Sequence, residues 1–181
     1  MEAALRKAAI KISKESAFVL LTVACAVALP QIFHGLGVLL GVGGKLGQIF
    51  LPMYIPVIIL GFYRGPVAGA VTGLLAPLVS FAITGMPTEA LLPFITVELI
   101  ATGLLAGVVC NVKMHATLRI LSVQAGAKAV RLLAFLIVSL IKTGTVVASQ
   151  LFAGILTSIP GIVLQLILIT YLLMNKEKGN E

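Results

Sequence analysis

Glu98, Lys142 and Gln165 interrupt stretches of the chain that are otherwise apolar. A carboxylate, an ammonium and a carboxamide at such positions can bind a polar small molecule or carry a proton. They do not make a hydrolytic or metal centre. The chain contains no aspartate, which removes aspartate-based two-metal clusters, Asp-containing triads and EF-hand loops. No catalytic residue, metal-ligand set or cofactor is expected. The run Gly41-Val42-Gly43-Gly44-Lys45 imitates a phosphate loop. Leu39, however, stands where the first glycine belongs, and Leu46 where Ser or Thr would hold magnesium, so ATP is not expected to bind there.

The elements that carry these residues follow from composition. Of 181 residues, 60% are apolar and 10% charged, against roughly 45–50% and 25% in a soluble domain. Residues 16–44, 46–63, 65–88 and 143–175 contain no Asp, Glu, Lys or Arg, and a helix needs roughly 20 apolar residues to cross a bilayer. Two more apolar stretches, 90–112 and 132–154, tolerate one internal charge each, Glu98 and Lys142. None alternates with period two, which argues against a barrel. The expected fold is an all-α integral membrane protein, one domain of six transmembrane helices, at about 17–33, 49–63, 66–84, 91–111, 132–149 and 159–175. The second carries Pro52 and Pro56 and is expected to be irregular at one end. The last uncharged run is too long for one crossing, and Ser158, Pro160 and Gly161 are read as its turn.

Thirteen Lys and Arg against six acids give a net charge of +7. With both termini cytoplasmic, Arg6, Lys7, Lys11, Lys14, Arg64, Lys113, Arg119, Lys128, Arg131, Lys176 and Lys178 all fall inside, Lys45 falls outside and Lys142 lies within a span. That is the positive-inside distribution, so the charge reads as topology and not as a nucleic-acid surface. His34 and His115 then lie on opposite sides, and Cys25 and Cys110 are too far apart in depth for a disulfide. The basic and apolar N-terminal stretch is read as the first span, not as a cleaved leader.

On these boundaries Glu98, Lys142 and Gln165 lie at one depth, about 10 Å below the outer face. An intramembrane charge faces the bundle interior or a wet cavity and pairs with something. Two readings fit. Glu98 and Lys142 form an ion pair that fixes helix register, or the layer is the floor of a site for a ligand entering from outside. In the second reading Phe94 and Thr102 on the Glu98 helix, and Thr145 and Ser149 on the Lys142 helix, share the relevant faces. Gln48 and Tyr54 lie near the outer end of span two. The glycine-rich segment from Gly35 to Gly47 suits a lid, with Met86-Pro87-Thr88-Glu89 and Phe152 to Ser158 as further outer loops. Gly65, Gly69 and Gly73, and Gly103 and Gly107, form small-residue rows suited to close packing inside the chain. Ala24 and Ala28 on the first span suit packing within the chain or a partner protein.

The stretches Leu51-Pro52-Met53-Tyr54-Ile55-Pro56, Gly61-Phe62, Gly65-Pro66, Gly85-Met86-Pro87, Glu98-Leu99 and Pro160-Gly161-Ile162-Val163-Leu164-Gln165 resemble, in order and over nearly the whole length, the substrate-binding S components of energy-coupling factor (ECF) vitamin transporters. The resemblance implies a six-helix subunit of the bacterial plasma membrane. It would capture a small water-soluble vitamin or precursor from outside, pyridoxine- or hydroxymethylpyrimidine-like or pantothenate, without chemistry of its own. It also implies partners: a transmembrane coupling subunit, docked at Ala24 and Ala28, and two ATPase subunits that supply the energy. Tyr54 stands where the resemblance leads one to expect His. The alternative is a solitary secondary transporter with Glu98 as its proton-coupling carboxylate.

Overall fold

The structure is a computed structural model that describes the backbone of residues 2–43, 45–143 and 148–178, and side chains within 14–43, 46–47, 49–141 and 158–175. Among the described residues every regular element is a helix: α1 (Glu2–Leu39), α2 (Lys45–Phe50), α3 (Tyr54–Arg64), α4 (Pro66–Thr84), α5 (Leu92–Val109), α6 (Ala116–Thr143) and α7 (Ala148–Lys178). Five contain segments long and apolar enough to cross a membrane: Lys14–Leu39, Pro66–Thr84, Leu92–Val109, Ala116–Ile141 and Ser158–Asn175. The surface agrees with that. Leu20, Leu21, Val67, Ile83, Leu133, Ile141 and Ile167 are all more than half exposed, an apolar periphery that water would not tolerate but acyl chains do.

The core forms where α3 packs against α1, α4 and α5 and touches α7, with α6 closing the far side, around Val57, Ile58, Leu99, Ile120, Val123 and Ile169. Its tightest seam is antiparallel and built on missing side chains. A Cβ on Gly69 would strike the Gly103 carbonyl, one on Gly103 the Gly69 carbonyl, one on Gly73 the Leu99 carbonyl and one on Gly107 the backbone of Pro66. The two glycine rows therefore pack against each other within the chain, as their spacing predicts. Gly61 of α3 joins the seam, 2.6 Å for its would-be Cβ from the Gly103 carbonyl oxygen. Gly65, at φ 91°, is the whole connection from α3 to α4.

The second apolar segment is broken, as Pro52 and Pro56 predict. α2 ends at Phe50, Leu51 takes φ 48°, and α3 restarts at Tyr54. Pro56 is absorbed in the first turn of α3, where its missing N–H has no helical partner to lose.

The third and fourth spans match α4 and α5 closely, but the C-terminal half departs from the expected boundaries. α6 begins at Ala116, not near Leu132, and runs through Lys128 and Arg131. These two cations belong inside a long apolar helix, not in a cytoplasmic loop. Lys128 and Arg131 lie about 18 and 22 Å along α6 from its start. They tolerate that position because they share a counter-charge, described below. Nor does the chain turn at Ser158-Pro160-Gly161: α7 continues through all three, and Phe152 to Ser158 is helix, not loop. One proline removes a single helical hydrogen bond, and Gly161 serves as a notch, where a Cβ would come within 2.7 Å of the Ile49 and Phe50 carbonyl oxygens. The glycine-rich segment is also more ordered than a lid of 13 residues would be. α1 runs on through Gly35 and Gly37, and among the described residues Gly41 and Gly43, at φ 73° and 63°, turn the chain toward α2.

Candidate ligand-binding site

A cavity of about 330 Å³ opens toward the end of the bundle where α1 and α4 finish and α5 begins. All seven helices or their junctions border it. α1 contributes Pro30, Gln31 and His34, the α2–α3 break Leu51 to Tyr54, α4 Ser80, the α4–α5 connection Met86, Pro87, Thr88 and Leu91, α6 Arg131 and α7 Ser158. Its volume is at the small end of the roughly 300–1,000 Å³ typical of ligand sites, enough for a molecule of one ring or its equivalent.

Local sequence explains the walls. Pro30 sits inside α1 and has no N–H for the carbonyl one turn back. Gln31 and His34, three residues apart, project from the same face. His34 lies against α2 at Gly47, where a Cβ would come within 2.6 Å of the imidazole Cε1 and Nε2. The break at Leu51 turns the Pro52-Met53-Tyr54 backbone into a wall, and Gly85 in the left-handed conformation ends α4 so that Met86 and Pro87 fold over the opening.

Residues that border this space carry polar atoms the protein does not match. Gln31 Nε2 and His34 Nδ1 are buried and have no hydrogen-bond partner among the described residues. The Tyr54 hydroxyl, on a residue 3% exposed, lies beside the Glu98 carboxylate without a hydrogen bond of standard geometry. A buried polar group left unsatisfied costs about 1–3 kcal/mol, so Gln31 and His34, which both border this cavity, mark it as a place for polar contacts from outside the fold.

Behind the wall stands a charge cluster. Glu98, fully buried on α5, accepts from Lys128 Nζ at 2.5 Å on one oxygen and from Arg131 Nη1 at 2.9 Å on the other. Lys128 Nζ also lies 5.4 Å from the centre of the Tyr54 ring. Both cations come from α6 and are one turn apart, so α5 and α6 are joined by a forked ion pair. Glu98 is thus partnered by Lys128 and Arg131, whereas the Lys142 and Gln48 side chains and all of Thr145 lie outside the described residues.

The other sequence-predicted residues fall elsewhere. Tyr54 borders the cavity. Gln165 is fully buried but is taken by Gln124, which donates to its Oε1, and by the Leu51 carbonyl, to which its Nε2 donates at 3.3 Å. Thr102 donates to the Glu98 carbonyl at 2.7 Å, and Phe94 packs against Phe135 with ring centres 5.5 Å apart. Ala24 and Ala28 are exposed on α1. Sequence reasoning missed Gln31, His34 and Arg131. Arg131 was signalled only by its alignment one turn after Lys128, and the other two by proximity to Pro30.

At the opposite end, Lys14, Arg64, Lys113 and Arg119 gather where α1 and α4 begin and α5 ends. There Arg64 pairs with Glu15 at 3.1 Å and lies 3.7 Å over the Phe18 ring.

Fold and cavity together have the make-up of a multi-pass helical membrane protein with a small pocket near one end, mostly apolar with a few polar residues. Searches against protein-family models, curated proteins and solved structures find no match.

Proposed function

We propose that this chain is the substrate-binding subunit of an ECF-type vitamin importer in the bacterial plasma membrane. In this reading α2, the break and α3 together make the sixth crossing, and both termini are cytoplasmic. The cavity faces outward and takes up a small water-soluble vitamin or precursor. A coupling subunit and two ATPase subunits then drive uptake, and this chain performs no chemistry.

The observation that carries the reading is the small cavity lined by Gln31 and His34, whose Nε2 and Nδ1 are buried without partners among the described residues. The cationic end holding Lys14, Arg64, Lys113 and Arg119 supports its orientation, since such residues gather on the cytoplasmic side. A proton-coupled transporter working through Glu98 is less well supported, because both carboxylate oxygens are held by cations and protonation would strand both.

The test is a vitamin panel applied to the detergent-purified chain by calorimetry. Tight binding of one member, weakened by Gln31→Leu, is expected. A chain that is folded and binds none of them sinks the reading.

A further inference from the structure

The cluster around Glu98 does not balance. Two cations, Lys128 and Arg131, meet one carboxylate, and no other acidic side chain among the described residues is buried beside them. Two positive charges less one negative leave an excess of +1 inside a bundle whose periphery is apolar. Water disperses such a charge at a surface, but inside a membrane protein it is costly and calls for a counter-ion.

The position of the excess is specific. Glu98 is sealed, at 0% side-chain exposure, whereas Arg131 keeps 27% and borders the cavity. Its bond to Glu98 uses Nη1, and a guanidinium carries five N–H donors in a planar fork. The remaining edge matches an oxyanion, which arginine binds through two parallel hydrogen bonds. Gln31, whose Nε2 is a buried donor without a partner among the described residues, lines the same cavity.

Resting on the reading of this cavity as a small-molecule site, we infer that its ligand is a monoanion whose carboxylate is taken by Arg131, with Glu98 and Lys128 holding the guanidinium in place and setting the charge that the ligand completes. Glu98 alone would cancel Arg131 and leave a site for neutral molecules. Lys128 restores the positive balance without entering the cavity, so it is a positioning and charge-setting residue. The same oxyanion chemistry is offered by the phosphodiester of a lipid headgroup. A cavity of about 330 Å³ fits a soluble carboxylate better than a two-chain lipid.

The experiment reads selectivity rather than affinity. The detergent-purified full chain is titrated with matched pairs in which only the anionic group changes: pantothenate against pantothenol, nicotinate against nicotinamide, and 4-pyridoxate against pyridoxine. For the pair that binds, the carboxylate is expected to be favoured by about 30-fold or more, the consequence of a charge pair shielded from water. Arg131→Gln and Lys128→Met should each bring that ratio near one. Arg131→Lys, which keeps the charge and loses the fork, should retain part of it. Because each ratio is taken within one variant, a partial loss of folded protein does not alter it.

A neutral member binding as well as its carboxylate, or a ratio untouched by Lys128→Met, overturns the inference while leaving the small-molecule reading intact. If no pair binds, both fall together. An anionic phospholipid retained by the wild type in native mass spectrometry, lost from Arg131→Gln and displaced by no soluble carboxylate, would overturn the assignment to a water-soluble ligand.

Discussion

Gln165 of α7 donates to the carbonyl of Leu51, 3.3 Å away, at the point where α2 stops and α3 has not yet begun. Its other amide atom accepts from Gln124 of α6, so one buried carboxamide ties the broken segment to two long helices. Leu51 is the residue at φ 48°, and its carbonyl also accepts from the Tyr54 N–H at 3.1 Å, so Gln165 holds the turn that starts α3. Replacing Gln165 with Leu strands the buried Gln124 amide, at about 1–3 kcal/mol, while the Leu51 carbonyl keeps the Tyr54 N–H. Denaturant titration of the purified chain should show a loss of about 1–3 kcal/mol, with ligand affinity falling as the Leu51–Tyr54 wall loosens. Wild-type stability in Gln165→Leu would show that this tie is dispensable.

This tie also shows what was legible in the sequence. The glycine rows, the break near Pro52 and the apolar helices α4 and α5 each follow from local pattern: small residues every fourth position, prolines, uncharged length. Lys128, Arg131 and Gln165 do not, because what each does depends on a partner many residues away. Counting every cation as a group seeking water cut α6 short and put Lys128 and Arg131 in a loop. A carboxylate on α5 removes that need, and no window along the chain contains both helices. Pro160-Gly161 misled in the same way. A proline and glycine together read as a turn, but here the glycine is a notch for the α2 carbonyls. Glu98 was recognisable as a paired intramembrane charge, although its partners are on α6 nearer the N-terminus than Lys142.

Gly69 and Gly103 leave no room for side chains on either helix. Gly69→Ala should cost at least the 1–3 kcal/mol of ordinary overpacking, since backbone and not a flexible side chain must move, and Gly69→Leu should prevent assembly of α4 on α5. Gly35→Ala is the control, because a Cβ there meets nothing within 4 Å. Thermal unfolding in detergent separates the two. Equal tolerance at both positions would contradict the seam.

Glu98→Gln removes the counter-charge of Lys128 and Arg131 together. Breaking a buried ion pair from one side costs about 3–5 kcal/mol, whereas replacing the whole group by apolar residues can be neutral. The single variant should therefore be much less stable than the triple Glu98→Leu, Lys128→Met, Arg131→Met, which should recover most of the loss while abolishing ligand binding. A triple variant no more stable than the single one would mean that the cluster holds α5 and α6 together by more than charge.

His34 presents a case in which stability and affinity separate. Its Nδ1 is buried without a partner, so His34→Ala gives up no internal hydrogen bond at that atom and relieves its desolvation, while losing packing against Gly47. These terms oppose, and the net change should stay within about 1 kcal/mol. Affinity for the bound small molecule should fall about tenfold or more. The opposite pattern, a large stability loss with affinity intact, would make His34 a packing residue.

Ala24 and Ala28 are exposed one turn apart on α1, with Leu20 and Leu21 at 66% and 63% exposure one turn before them. No helix among the described residues covers that strip. Lipid alone would accept larger side chains there without penalty, because acyl chains adapt to any apolar relief. A protein partner would not, because close helix approach in a bilayer depends on small residues at the contact. Ala24→Leu with Ala28→Leu should therefore leave the unfolding transition and the ligand affinity of the purified chain unchanged. Co-expressed with candidate coupling and ATPase subunits, the same variant should be recovered with them at a clearly lower yield than wild type. Recovery equal to wild type would remove this strip as the docking surface.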